Sequence, residues 1–109
     1  MTMLNDRSGL WCVILAAGAS SRLGKPKQLI QYRGRPLLLH AASAATSISP
    51  KQTIVVLGTH SLRLRALLAR HLQHVSVIVN HQWGSGMASS LIFGLKALPS
   101  SARAALLML

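Results

Sequence analysis

Four short apolar runs, Trp11 to Ala17 (WCVILAA), Thr53 to Leu57 (TIVVL), Val75 to Val79 (VSVIV) and Ala104 to Leu109 (AALLML), punctuate the chain, with helical stretches between them. Short, β-branched apolar runs bounded by turn residues suit strands buried on both faces of a sheet. Strands that alternate with helices read as parallel βαβ units with right-handed crossovers. The spacing therefore predicts an α/β fold, a three-layer α/β/α Rossmann-like parallel sheet truncated after the fourth strand. The last run has no carboxyl-end loop after it, so residues 1–109 read as the N-terminal portion of a single larger domain.

Between the strands, Pro36 stands at the first turn of a helix over Leu37 to Thr46 that ends before Ser49-Pro50. Ser61 is the expected N-cap of a helix over Leu62 to Leu72, with Leu64, Leu67, Leu68 and Leu72 on one face and Arg63 and Arg70 off it. A third helix is expected from Met87 to Leu98, where Met87, Leu91 and Leu95 recur every fourth position and Pro99 ends the run.

Half of the 109 residues are apolar, enough for a packed core and against disorder. The charge balance is more restrictive: 12 Lys plus Arg face one acidic residue, Asp6, for a net charge of +11. Paired-carboxylate glycosidases, aspartic proteases, EF-hands and His-Glu-x-x-His metalloproteases all need acids that this sequence lacks. Magnesium, if the reaction needs it, must find ligands on substrate phosphates, a partner chain or further sequence. The basic residues are dispersed and only 4% of the chain is aromatic, too little for a base-stacking platform, so nucleic acid is not the expected partner. The alternative is a non-catalytic basic nucleic-acid-binding fragment. The lone Cys12 excludes an internal disulfide framework and reads as a buried small hydrophobe in a reducing, cytoplasmic setting. No apolar stretch reaches membrane-spanning length. Leu10 to Ala19 resembles a signal-peptide core, but Asp6 offsets Arg7 ahead of it, and the stretch reads as the first strand.

Two loops at the carboxyl ends of strands carry the chemistry. Gly18-Ala-Ser-Ser-Arg-Leu-Gly24-Lys25-Pro26-Lys27 combines small residues, which admit an anion close to backbone N–H groups, with the charges of Arg22, Lys25 and Lys27. Its spacing is neither that of a Walker A loop nor the Gly-x-Gly-x-x-Gly of dinucleotide-binding folds. An ordinary Gly- and Lys-rich surface turn is the other reading of these residues. The second loop runs from Asn80 to Gly86, and Trp83 within it suits either stacking on a ligand or packing the loop onto the sheet. His71 and His74, with His60 and His81 elsewhere, lack the Cys or carboxylate spacing of a metal cluster. His40 is expected on a helix with a hydrogen-bond partner, and Arg63, Arg65 and Arg70 on a solvated helix face.

Leu15-Ala-Ala-Gly-Ala-Ser-Ser-Arg-Leu-Gly-Lys-Pro-Lys27 resembles the signature L-x-x-G-x-S-x-R-[M/F/L]-G-x-x-K of the MobA-like nucleotidyltransferases of molybdenum-cofactor synthesis. Tyr32-Arg-Gly-Arg-Pro-Leu-Leu38 is similar to the family's G-x-P-L-[L/I] segment. Asn80-His-Gln-Trp-Gly-Ser-Gly-Met-Ala-Ser-Ser-Leu91, with Gly94-Leu95, resembles its N-x-x-W-x-x-G-M-x-x-S-[L/V]-x-x-G-L segment. The resemblance implies transfer of a nucleoside monophosphate, CMP from CTP, to a phosphorylated acceptor such as molybdopterin, with release of pyrophosphate. A sugar-phosphate or alcohol-phosphate acceptor is the alternative within the same superfamily. Carried over by position, Leu15, Ala16, Ala17, Gly18, Ser20, Arg22 and Lys27 would hold the nucleotide and triphosphate, and Gly84, Gly86 and Ser90 would face the base. Arg22 and Lys27 would be catalytic, Arg22 contacting the phosphates and Lys27 countering charge that develops at the α-phosphate. Ala16-Ala17-Gly18 resembles the cytidine-using branch. The family implies Mg2+ held by an Asp directly after the strand matching Ala104 to Leu109. No such Asp occurs in this sequence, so no metal ligand is assigned, and low turnover is expected of these 109 residues alone.

Overall fold

The computed structural model describes residues 8–18 and 27–108. Six strands and three α-helices follow in the order β1 (Leu10–Ala16), β2 (Gln31–Tyr32), β3 (Arg35–Pro36), α1 (Leu37–Ile48), β4 (Thr53–Leu57), α2 (Ser61–His71), β5 (Ser76–Val79), α3 (Met87–Lys96) and β6 (Ala104–Met108). Single 3-10 turns at Lys27–Leu29 and Trp83–Ser85 precede β2 and α3.

Strands β5, β4, β1 and β6 lie side by side in that order, and every pairing is parallel. The chain leaves β1 toward β4 and β5, then crosses back over to β6. Successive right-handed crossovers in opposite directions place helices on opposite faces of a sheet. Accordingly, Cys12, Ile14 and Ala16 of β1 pack with Val55 and Leu57 of β4 against Leu38, Leu39, Ala42 and Ala45 of α1 and Leu64 and Leu68 of α2. The alternate residues Val13, Ile54 and Val56 form the other face with Ala17, which follows β1. There Gly94 of α3 approaches so closely that a β-carbon on it would sit 2.9 Å from Val13 Cγ1 and 3.0 Å from Val56 Cγ2. The result is the expected three-layer α/β/α Rossmann-like arrangement, with β1 in the middle of the sheet.

All five residues of β4 are buried, as suits an interior parallel strand, and the Thr53 hydroxyl is satisfied by donating to Ser49 O at 3.2 Å. Cys12 is buried and free of any disulfide. Burying Leu39, Leu57, Leu64 and Leu68 stabilises the fold by about 1.5–3 kcal/mol each relative to exposure. Leu106 and Leu107 of the edge strand β6 are exposed, one toward each face.

Three details differ from the sequence expectations. The N-cap of α2 is His60 in the left-handed conformation (φ 59°), without a side-chain cap, and Ser61 is already helical. Helix α3 ends at Lys96 and does not bury its Met87, Leu91, Leu95 repeat: Met87 and Leu95 are exposed, and the buried residues are Ser90 and Gly94. Small residues face the sheet because the helix lies almost on it. The third is the hairpin β2–β3, which no periodicity marked. Its turn has positive φ at both central residues, Arg33 (51°) and Gly34 (79°), the geometry that matches strand twist in a two-residue loop. His40 secures it from α1, with Nε2 2.6 Å from Tyr32 O and its ring edge-on to Tyr32 at 5.6 Å.

Candidate functional site

Beyond the carboxyl end of β1, where the connections diverge toward β4 and β6, two adjoining cavities open. Such divergence points are where open α/β sheets bind ligands. The first, about 310 Å³, lies on the α3 face and is lined by Leu15, Ala17, Gly18, Trp83, Gly84, Gly86, Met87 and Ser90. The second, about 390 Å³, lies on the α1 face, lined by Ala16, Lys27, Gln28 and apolar residues of β1 and α1, and shares Leu15, Gly18 and Met87 with the first.

The crevice on the α3 face is built by glycines and one asparagine. A β-carbon on Gly58 would sit 2.5 Å from Trp83 Cβ and 2.7 Å from Ala17 O, so only glycine lets the Asn80–Gly86 loop close over the end of β1. A β-carbon on Gly18 or Gly84 instead meets nothing within 4 Å among the described residues, and Gly86 turns the chain into α3 at φ 106°. Among the described residues no side chain caps α3, and the backbone N–H groups of its first turn have no intrahelical partner. Asn80, 4% exposed, holds the loop from below. Its N–H donates to Leu57 O at 2.7 Å, its Oδ1 accepts from Gln82 N at 2.9 Å, and its Nδ2 donates to Ser89 Oγ at 2.7 Å and Ser90 Oγ at 3.0 Å. Trp83 packs the loop, with its Cβ over Gly58, and the exposed side chain also lines the crevice.

On the α1 face, Gln28 Nε2 donates to Ala16 O at 3.0 Å, tying the chain that carries Lys27 to the end of β1. Gln28 Oε1 is buried without a partner among the described residues.

Of the residues singled out by sequence, Leu15, Ala17, Gly18, Gly84, Gly86 and Ser90 thus line one crevice, and Ala16 and Lys27 line its neighbour. Ser20 and Arg22, with Lys25, lie outside the described residues. Met87 and Asn80 were not named as site residues, although both stand inside the quoted motifs, and Gln28 directly follows Lys27. Among the described residues no group of three or more His, Cys, Asp or Glu could hold a metal ion. Arg63, Arg65 and Arg70 are exposed, as expected of a solvated helix face. No described helix is long and apolar enough to cross a membrane.

Fold and crevice together define a Rossmann-like α/β domain with a glycine-lined cleft at its topological switch point. The chain belongs to the MobA-like NTP transferase domain family, whose model matches residues 12–109. It is 43% identical over 84 residues to nicotine blue oxidoreductase of Paenarthrobacter nicotinovorans, covering 75% of this chain and 40% of that protein. It is 37% identical over 81 residues to the bifunctional protein GlmU of Roseobacter denitrificans, covering 71% of this chain and 18% of that one. Among solved structures, Rv0371c from Mycobacterium tuberculosis H37Rv superposes with a TM-score of 0.78 at 35% identity, over 92% of this chain and 50% of that one. Its complex with manganese superposes at 0.70 with 29% identity, over 92% and 49%. The chain therefore spans half or less of each of these relatives.

Proposed function

We propose that the chain is the nucleotide-binding part of a nucleotidyltransferase that transfers CMP from CTP to a phosphorylated acceptor of the molybdopterin type and releases pyrophosphate. The observation that carries this reading is the meeting of Gly18 with Gly84, Gly86 and Ser90, a group that lies far from it in sequence, on one crevice at the carboxyl end of β1. Side-chain-free backbone at three of these positions gives a flat nucleotide room beside exposed N–H groups. Lys27, in the adjoining cavity, supplies positive charge on the other side of the same turn.

In the transfer, an acceptor phosphate oxygen attacks the α-phosphorus, and the bond to the bridging oxygen of pyrophosphate breaks. Catalysis of this kind is positioning plus electrostatic stabilisation. The crevice residues position the nucleotide, and Lys27 with Arg22 counters the negative charge that accumulates. Cytidine is favoured by the Ala16-Ala17-Gly18 sequence, and molybdopterin by the family resemblance. A divalent metal is implied by the family and by the manganese complex of Rv0371c. The described residues include no carboxylate, so they do not fit a metal site by themselves, and no step is assigned to one.

A second reading is favoured by one observation: the 43% identical relative bears the name of an oxidoreductase. In that case the crevice would take a redox cofactor or substrate. Thermal melting of the chain with CTP, GTP, ATP or reduced nicotinamide dinucleotide separates the two. Stabilisation selective for CTP, lost in Arg22→Ala and Lys27→Ala, supports the transferase. Stabilisation by the dinucleotide alone favours the redox reading, and no effect from any of them on a cooperatively melting chain contradicts both.

A further inference from the structure

Resting on the reading of the crevice as a nucleotide site, the hydrogen bonds beneath it fix the direction of one hydroxyl. The Asn80 amide has two N–H donors and one carbonyl acceptor. One donor goes to Ser89 Oγ and the other to Ser90 Oγ, while Oδ1 is taken by Gln82 N. Ser89 passes its own proton to Gln82 O at 3.1 Å, so its hydroxyl is used in both senses. Ser90 differs: its oxygen accepts from Asn80, and among the described residues nothing takes its proton. Ser90 is 3% exposed and lines the crevice, so the ligand space is where that proton finds an acceptor.

We infer that Asn80 is a positioning residue that sets base selectivity: by donating to Ser90 Oγ it makes Ser90 a hydrogen-bond donor toward a carbonyl or ring nitrogen of the bound base. Asn80 itself touches no ligand. It acts by polarity, because an amide nitrogen at this place forbids the Ser90 hydroxyl from pointing inward. A carboxylate would reverse the arrangement. With Asn80→Asp, the bond to Gln82 N is retained, but both serine hydroxyls can donate to the carboxylate, and Ser90 then presents a lone pair to the crevice.

The test is calorimetric titration of the wild-type chain and N80D with CTP, UTP, GTP and ATP. Repulsion between the new charge and a triphosphate weakens all four alike, as does a merely structural role. If Asn80 sets the direction of the Ser90 hydroxyl, the ratios of the dissociation constants in addition change by about tenfold between nucleotides, the worth of one hydrogen bond gained or lost. Uniform weakening of all four within about twofold would overturn it. If N80D does not melt cooperatively, Ser90→Ala removes the same proton without touching Asn80. It is expected to change those ratios to a similar extent, and uniform weakening there overturns the inference. A wild-type chain that binds none of the four overturns the nucleotide reading and this inference with it, whereas binding by wild type with unchanged ratios in the variants overturns this inference alone.

Discussion

Gly58 and Trp83 touch where the Asn80–Gly86 loop crosses the end of β1: a β-carbon on Gly58 would lie 2.5 Å from Trp83 Cβ and 2.8 Å from Trp83 Cγ. The Ala17 carbonyl oxygen closes the other side at 2.7 Å, and it already accepts from Thr59 N at 3.2 Å. Neither neighbour is the free end of a flexible side chain. Gly58→Ala is therefore expected to destabilise the fold by about 1–3 kcal/mol, the usual cost of forcing an extra methyl into a packed site. Urea unfolding of the two proteins measures it, and unchanged stability would show that the loop does not rest on β1.

Gly84 makes the opposite case. A β-carbon there meets nothing within 4 Å among the described residues, so Gly84→Ala should leave stability within about 0.5 kcal/mol of the parent. It should still weaken nucleotide binding, because the methyl group enters the crevice that Gly84 lines. Paired melting and titration experiments check this split between stability and affinity.

Helix α3 sets two effects of similar size against each other. Replacing Gly94 with Ala gains about 1 kcal/mol of helix propensity. Against that stand Val13 Cγ1 at 2.9 Å and Val56 Cγ2 at 3.0 Å, both on β-branched side chains held by interior strands. Overpacking should win, with a net loss of about 1 kcal/mol and a lower melting temperature. A stabilised Gly94→Ala would show that α3 rides farther from the sheet than these two distances place it.

How much of this could be read from sequence follows from the range of the interactions. The strands β1, β4, β5 and β6 were legible because burial on both faces writes itself into continuous apolar runs such as TIVVL. The face of α2 was legible for the same reason, with Leu64 and Leu68 buried where the period placed them. Helix α3 misled because close approach selects Ser90 and Gly94, residues that no hydrophobic repeat detects. The two-residue strands of the hairpin are too short to have a period, and the pair Arg33-Gly34 was the available signal. Gly18, Gly84, Gly86 and Ser90 were named through motif resemblance, and their convergence follows from the β5 to β6 crossover. The role of Asn80 was invisible, since its four partners are set by tertiary structure.

Divalent metal provides a fourth test. With no carboxylate among the described residues, Mg2+ or Mn2+ alone should not raise the melting temperature. Any stabilisation should require a triphosphate, whose oxygens supply hard ligands. Melting curves with metal, with CTP and with both resolve this, and stabilisation by metal alone would reveal a protein ligand set outside the described residues.

The central claim is that the crevice between Gly18 and Ser90 holds a nucleotide, and calorimetric titration of the chain with CTP addresses it most directly. Saturable one-to-one binding is expected, weakened about tenfold by Ser90→Ala, the scale of one lost hydrogen bond, and abolished by filling the crevice with Gly84→Trp. A cooperatively folded chain that takes up no CTP, or one whose affinity ignores both substitutions, would contradict it.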